Sequence, residues 1–361
     1  MFKQWTPRRI RVLFCLVKTG RPKMSSASMQ SNSPGDMSAR SLFVTAQDGL
    51  RLHVREYGSR TAPLLPVVCL PGLTRTVSDF DVLAPVLANS SAAGGPRRRV
   101  IAIDSRGRGQ SEYDTNPENY NVAIELRDVV TILSALGIGR AVFVGSSRGG
   151  ILTMLLAVAH PAVLAGAVLH DIGPVIEPAG LVRIKSYAGK LPQPRSFDEG
   201  AGILRRLFSA HFPKLTDADW LAAAQRTWKT ADGSLVPTYD VRIAQTLSEL
   251  DIDKPLPTMW AEFDALARVP VLVIRGANSD ILSADTVAKM KEHDPGLQII
   301  EVPDEGHVPS LVGEGLLQKI AAFVAACDAA ANQPGVNTIS AGSNPSMASQ
   351  APSEKARGQR W

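Results

Sequence analysis

The sequence predicts an α/β fold, a mostly parallel sheet with helices on both faces and a helical insertion late in the chain. Three observations predict it. Short, near-continuous apolar runs at 66–70, 100–103, 141–144, 163–169 and 271–274 read as strands buried on both faces. Runs with apolar residues at helical spacing alternate with them, at 80–87, 122–136, 151–159, 284–293 and 315–326. From 177 to 263 that alternation stops, and the stretch becomes helical and polar-apolar.

The elements follow in order. Two strands at 42–46 and 52–57 flank Gln47-Asp48-Gly49, a hairpin signal. The run at 66–70 ends in Pro71-Gly72-Leu73-Thr74-Arg75, and the run at 100–103 ends in Asp104-Ser105-Arg106-Gly107-Arg108-Gly109-Gln110-Ser111. The amphipathic stretch 122–136 stops at Gly137, a helix terminator. The next run passes into Gly145-Ser146-Ser147-Arg148-Gly149. This is a G-x-S-x-G turn between a strand and a helix, with Ser147 at its tip. The insertion at 177–263 contains Trp220, Trp228 and Trp260 and shows no strand-like run; with Tyr187, these aromatics read as core. The rhythm resumes with strands at 271–274 and 297–302 and a last helix at 315–326.

Composition bounds the function. The chain has 361 residues, 45% hydrophobic and 20% charged, as in a globular protein with a large core. Seven of its 39 basic residues and one of its 34 acids lie in residues 1–36. The remaining 32 basic and 33 acidic residues nearly balance, so the net charge of +5 does not point to nucleic acid. Cys15, Cys69 and Cys327 are too scattered for a disulfide framework or a metal site; Cys69 reads as a buried small hydrophobe, and a reducing cytoplasm is expected. No apolar run reaches transmembrane length, so no stable membrane insertion is expected. Residues 1–38 read as a disordered basic leader or an over-long start, with Met24 and Met37 as alternative starts. Residues 329–361 read as a disordered tail. The expected division is a core of 39–176 and 264–328, with 177–263 inserted as a cap. A homo-oligomer is compatible with this pattern.

The chemistry centres on Ser147. A serine hydroxyl needs a base to take its proton, and the base needs an orienting acid. In this chain order the acid follows a late strand and the histidine follows the last one. Asp280, in Gly276-Ala277-Asn278-Ser279-Asp280, and His307, in Glu305-Gly306-His307, stand at those places. The expected triad is therefore Ser147, Asp280 and His307. Asp280 also stands where a helix cap would. Asp171, at the end of the 163–169 run, is the rival acid and is otherwise expected to shape the pocket or cap its turn. The backbone N–H groups of Leu73 and Arg148 are the expected oxyanion donors, with Gly72 allowing close approach. Arg148 is expected to pair with an acid near the turn. Arg75 is expected to pair with Asp79 or to bind a substrate carboxylate.

The ordered motifs Pro-Gly-Leu-Thr-Arg, Asp-x-Arg-Gly-x-Gly-x-Ser, Gly-x-Ser-x-Gly, a strand-end Asp and Gly-His resemble the α/β-hydrolase superfamily over residues 42–326. The resemblance implies an eight-stranded sheet, a helical cap after the sixth strand and no cofactor. It is nearest to capped members: enol-lactonases, small-molecule esterases and carbon–carbon hydrolases of ring-cleavage products. It departs at Pro71, where many members carry His, and at Arg148, where an apolar residue or Gln is usual. A serine nucleophile argues against the epoxide hydrolases and haloalkane dehalogenases. The expected function is serine-dependent hydrolysis of a small carboxylic ester or lactone. The alternatives are carbon–carbon hydrolysis of a dienoate, held by Arg75 or Arg183, and a ligand-binding homologue of low turnover.

Overall fold

In the computed structural model, residues 39–89, 97–248 and 256–332 are described. The expected leader at 1–38 and residues 333–361 of the expected tail lie outside them. Strands β1 (Arg40–Thr45) and β2 (Arg51–Tyr57) form the predicted hairpin, closed by Gly49 at φ 90°. Then come β3 (Val67–Leu70), α1 (Leu83–Ala88), β4 (Val100–Ile103), α2 (Val122–Ala135), β5 (Ala141–Ser146), α3 (Arg148–Ala159) and β6 (Leu164–His170). The insertion contributes α4 (Pro178–Tyr187), α5 (Phe197–Phe208), α6 (Asp217–Thr227), β7 (Trp228–Ala231), β8 (Ser234–Pro237), α7 (Gln245–Ser248) and α8 (Trp260–Asp264). The core resumes with β9 (Val271–Gly276), α9 (Ala284–His293), β10 (Gln298–Val302) and α10 (Glu314–Ala331).

Eight strands form one sheet in the order β1-β2-β4-β3-β5-β6-β9-β10. The β1–β2 and β2–β4 pairs are antiparallel and the others parallel. The apolar runs sort by strand period. Val68, Leu70, Ala141 and Phe143 face a core shared with α2, α3 and α9, while Val67, Cys69, Val142 and Val144 face one shared with α1 and α10. Cys69 is fully buried among apolar neighbours, as its setting predicts, and burial pushes its thiol up.

Two boundaries differ from expectation. The insertion is not wholly helical, because β7 and β8 pair antiparallel across Asp232 and Gly233, both at positive φ (51° and 74°). An Asp-Gly pair is a two-residue hairpin signal that outweighs the absence of a long apolar run. The last helix also passes the expected boundary at 329. Its Ala-rich sequence favours helix, and its end is fastened by Asp328, which pairs with buried Arg98 and accepts the Leu65 N–H at 3.1 Å.

The insertion carries its own small core of Ile203, Leu204, Trp220, Ala224, Trp228 and Leu235. It is stitched to the β4 loop. Gly109 donates to the Thr238 carbonyl and Asp240 N–H to the Gly107 carbonyl, both at 2.7 Å, and Tyr120 donates to Asp240 at 2.6 Å.

Candidate active site

The turn after β5 forces Ser147 to φ 50°, ψ −113°, a left-handed strain that the surrounding packing holds. Two glycines make that packing achievable. A Cβ on Gly145 would lie 2.5 Å from the Gly149 carbonyl, and one on Gly149 would lie 2.0 Å from the Leu70 carbonyl oxygen. Helix α3 therefore sits directly on β3, and its first turn meets the loop after that strand. A Cβ on Gly72, in that loop, would lie 3.7 Å from the Ser147 Cβ.

Ser147 Oγ is 2.9 Å from Nε2 of His307, which lies in the loop after β10. His307 Nδ1 is 2.8 Å from Oδ2 of Asp171. Asp171 is fully buried at the end of β6, at φ 55°. Its Oδ1 accepts the Gly276 N–H at 2.8 Å, and its Oδ2 accepts the Ser279 hydroxyl at 2.6 Å. A carboxylate can only accept, so Nδ1 carries the ring proton and Nε2 is left as an acceptor facing the Ser147 hydroxyl.

This corrects the expected acid. Asp280 does not meet His307. Its two oxygens take Arg183 of α4, with Nε–Oδ2 at 2.5 Å and Nη2–Oδ1 at 2.7 Å. Burial pushes its carboxyl up, but Arg183 outweighs that and holds it below the usual carboxylate range. The reason is positional. Asp171 follows β6 directly, and its N–H still bonds the Ile274 carbonyl of β9 at 2.7 Å. Asp280 lies past the Ala277–Ser279 turn, against α4, where Gly180 admits its carbonyl. Nor does Asp280 cap α9: Ser283 does, accepting the Thr286 N–H at 3.2 Å.

Of the two amides expected to hold an oxyanion, Arg148 follows Ser147 directly in the chain, and Leu73 follows Gly72, whose Cβ position lies 3.7 Å from the Ser147 Cβ. Among the described residues, neither Leu73 N–H nor Arg148 N–H donates to a backbone carbonyl. A network that the sequence did not reveal ties the two together. Buried Arg108 donates to the Leu73 carbonyl at 2.8 Å and to Glu125 at 2.7 Å, and the other oxygen of Glu125 takes Arg148 at 2.5 Å. Burial pushes the Glu125 carboxyl up, while the two guanidiniums outweigh that and hold it below the usual range. Arg148 thus finds an acid near the turn. Arg75 pairs with Asp79, with Nε–Oδ2 at 2.8 Å and Nη2–Oδ1 at 2.5 Å.

Ser147 and His307 open on a cavity of about 500 Å³ between sheet and insertion, lined in part by Leu73, Tyr187, Phe208, Phe212 and Trp220. Of the aromatics read as core, Tyr187 and Trp220 thus also reach the cavity wall, whereas Trp228 is buried at the centre of the insertion's own core. The insertion also braces the histidine loop. His211 packs on Gly306, and Lys214 pairs with Asp304 at 2.5 Å. Beside the serine, Ser146 Oγ lies 2.6 Å from Nδ1 of buried His170, whose pKa burial lowers to about 4, so that ring is neutral.

The comparisons with known proteins agree with this architecture. The chain is 33% identical over 269 residues to the 3-hydroxybutyrate-oligomer hydrolase of Cupriavidus necator, spanning 73% of this chain and 88% of that one. It is 27% identical over 278 residues to the 2-(acetamidomethylene)succinate hydrolase of Mesorhizobium japonicum, spanning 76% and 92%. A crystal structure of an alpha/beta hydrolase from Novosphingobium aromaticivorans superposes with a TM-score of 0.74 at 38% identity, covering 81% of this chain and 99% of that one. The profile of the alpha/beta hydrolase family matches residues 67–318, and the chain belongs to that family of hydrolases.

Proposed function

We propose that the protein hydrolyses a small carboxylic ester or lactone by two-step acyl transfer through Ser147. The observation that carries this reading is the hydrogen-bonded line Ser147–His307–Asp171, at 2.9 and 2.8 Å, opening on the cavity between sheet and insertion. Ser147 Oγ bonds to the carbonyl carbon while its proton passes to His307 Nε2, and Asp171 stabilises the imidazolium so formed. The Leu73 and Arg148 amides take the charge developing on the carbonyl oxygen, helped by the N-terminus of α3. The alcohol leaves with the proton from His307. Water, deprotonated by the same ring, then attacks the acyl-enzyme and releases the acid and Ser147.

A hydroxy acid oligomerises through esters, so the similarity to a 3-hydroxybutyrate-oligomer hydrolase supports an ester as substrate. A fluorophosphonate probe tests the nucleophile. The expected result is a single adduct at Ser147 that is absent in Ser147→Ala, with turnover of p-nitrophenyl butanoate by the unlabelled protein. No adduct and no ester turnover would leave a binding protein on a hydrolase scaffold.

A further inference from the structure

The cavity wall holds two arginines and one carboxylate between them. Arg75 takes both oxygens of Asp79. Arg226, in the last turn of α6, reaches Asp79 Oδ1 only at 3.7 Å, and among the described residues it makes no closer ion pair. The other acid on the wall, Asp81, is already engaged by Arg55 and by the Tyr57 hydroxyl at 2.9 Å. One positive charge is therefore in excess, in a wall otherwise rich in Leu191, Leu204, Phe208 and Phe212. Arg226 is about one-third exposed and lines the cavity. Burial, then the like charge of Arg75, lowers its pKa from the ordinary arginine value, yet a guanidinium remains protonated in proteins. A desolvated cation of this kind is stabilised by an anion, and its planar fork matches a carboxylate.

Arg226 and Ser147 line the same cavity, and the stem of Arg75 is close to the serine. The Cβ position of Gly72 lies 3.3 Å from Arg75 Cγ and 3.7 Å from Ser147 Cβ, so one residue of backbone separates the arginine stem from the serine.

We propose that Arg226, with Arg75 beside it, binds a carboxylate carried by the substrate, so that the cleaved molecule is the ester of a hydroxy acid whose acid end is free. This rests on the reading of Ser147 as an ester-cleaving nucleophile. It adds a requirement that reading lacks: charge on the part of the substrate that does not react. A linear hydroxy-acid oligoester has such an end; its methyl ester does not.

The test compares the dimer 3-(3-hydroxybutanoyloxy)butanoate with its methyl ester. The wild-type protein is expected to prefer the acid by at least about tenfold in kcat/KM, chiefly through KM. That preference should collapse in Arg226→Gln and be partly kept in Arg226→Lys, since a charge-assisted hydrogen bond is worth about tenfold or more. A preference that is absent in the wild type, or unchanged in Arg226→Gln, overturns the proposal. Calorimetric titration of Ser147→Ala with each dimer reads the anion site without turnover. Tighter binding of the acid, lost in Ser147→Ala carrying Arg226→Gln, supports it; equal binding of acid and methyl ester overturns it. Failure of the ester reading shows separately, as absence of the Ser147 adduct and of p-nitrophenyl butanoate turnover.

Discussion

The ends of β6 and β9 are neighbours in the sheet, and each is followed by an aspartate, yet the two carboxylates have opposite settings. Asp171 is sealed from solvent and gathers Gly276 N–H, the Ser279 hydroxyl and His307. Asp280 is partly exposed and turns to Arg183 of the insertion. The β9 loop therefore supplies donors that fix the acid of the β6 loop, and its own acid fastens α4 to the core. A place at the end of a parallel strand brings a side chain to the site's rim. Which of two such side chains is aimed inward depends on the donors around it.

Four experiments would break or sharpen this contrast. The largest effect is expected from Asp171→Asn, which should lower kcat on p-nitrophenyl butanoate by about 10⁴-fold because the histidine loses its orienting acceptor. Asp280→Asn should stay within about tenfold of wild type; the reverse ranking would return the acid role to β9.

Next comes acid stability at the β6 end. His170 is buried neutral with its pKa lowered to about 4, so the unfolded chain binds its proton first as pH falls. Stability should be lost from about pH 6.5 downward, by about 3 kcal/mol at pH 4. Urea midpoints of wild type and His170→Asn across that range measure it, and the variant should show a shallower fall. A flat wild-type profile between pH 6.5 and 4.5 would count against the burial argument.

At the β9 end the window lies lower. Asp280 is held below the usual carboxylate value, so its pair with Arg183 contributes at neutral pH and is lost only as pH drops through the carboxylate range, below about 4. Arg183→Gln should cost about 2 kcal/mol in chemical denaturation at pH 7 and much less at pH 3.

The smallest effect is expected from Ser279→Ala. It removes one of the two donors outside His307 that hold Asp171 and should reduce kcat by about tenfold with little change in KM. An effect on KM alone would mean that Ser279 serves the pocket and not the acid.

Much of this was legible beforehand. The apolar runs fix the strands because period-two burial admits few alternatives, and Gly145 and Gly149 mark the strained turn because only glycine fits beneath it. His307 could be placed from the strand before it. The acid could not, since Asp171 and Asp280 both end strands and the donors that choose between them come from other segments. The β7–β8 hairpin was marked by Asp232-Gly233, but its strands are four residues each, too short for a period to stand out. Arg226 carries no local signature, and its meaning comes from Asp79 being already occupied by Arg75.

Gly149 resting on the Leu70 carbonyl has a consequence for how such a protein can diversify. The seat locks the Ser147 turn and the Gly72-Leu73 loop into one rigid piece, so an added carbon at 149 would shift the Ser147 hydroxyl and the neighbouring amides together. Tyr187 and Arg226 are carried by α4 and α6 of the insertion, separate from β3 and α3 in the chain. New appetites can therefore be tried at cavity-facing positions of α4 and α6, with His211 and Lys214, which brace the histidine loop, left in place, and a library built for altered selectivity belongs there.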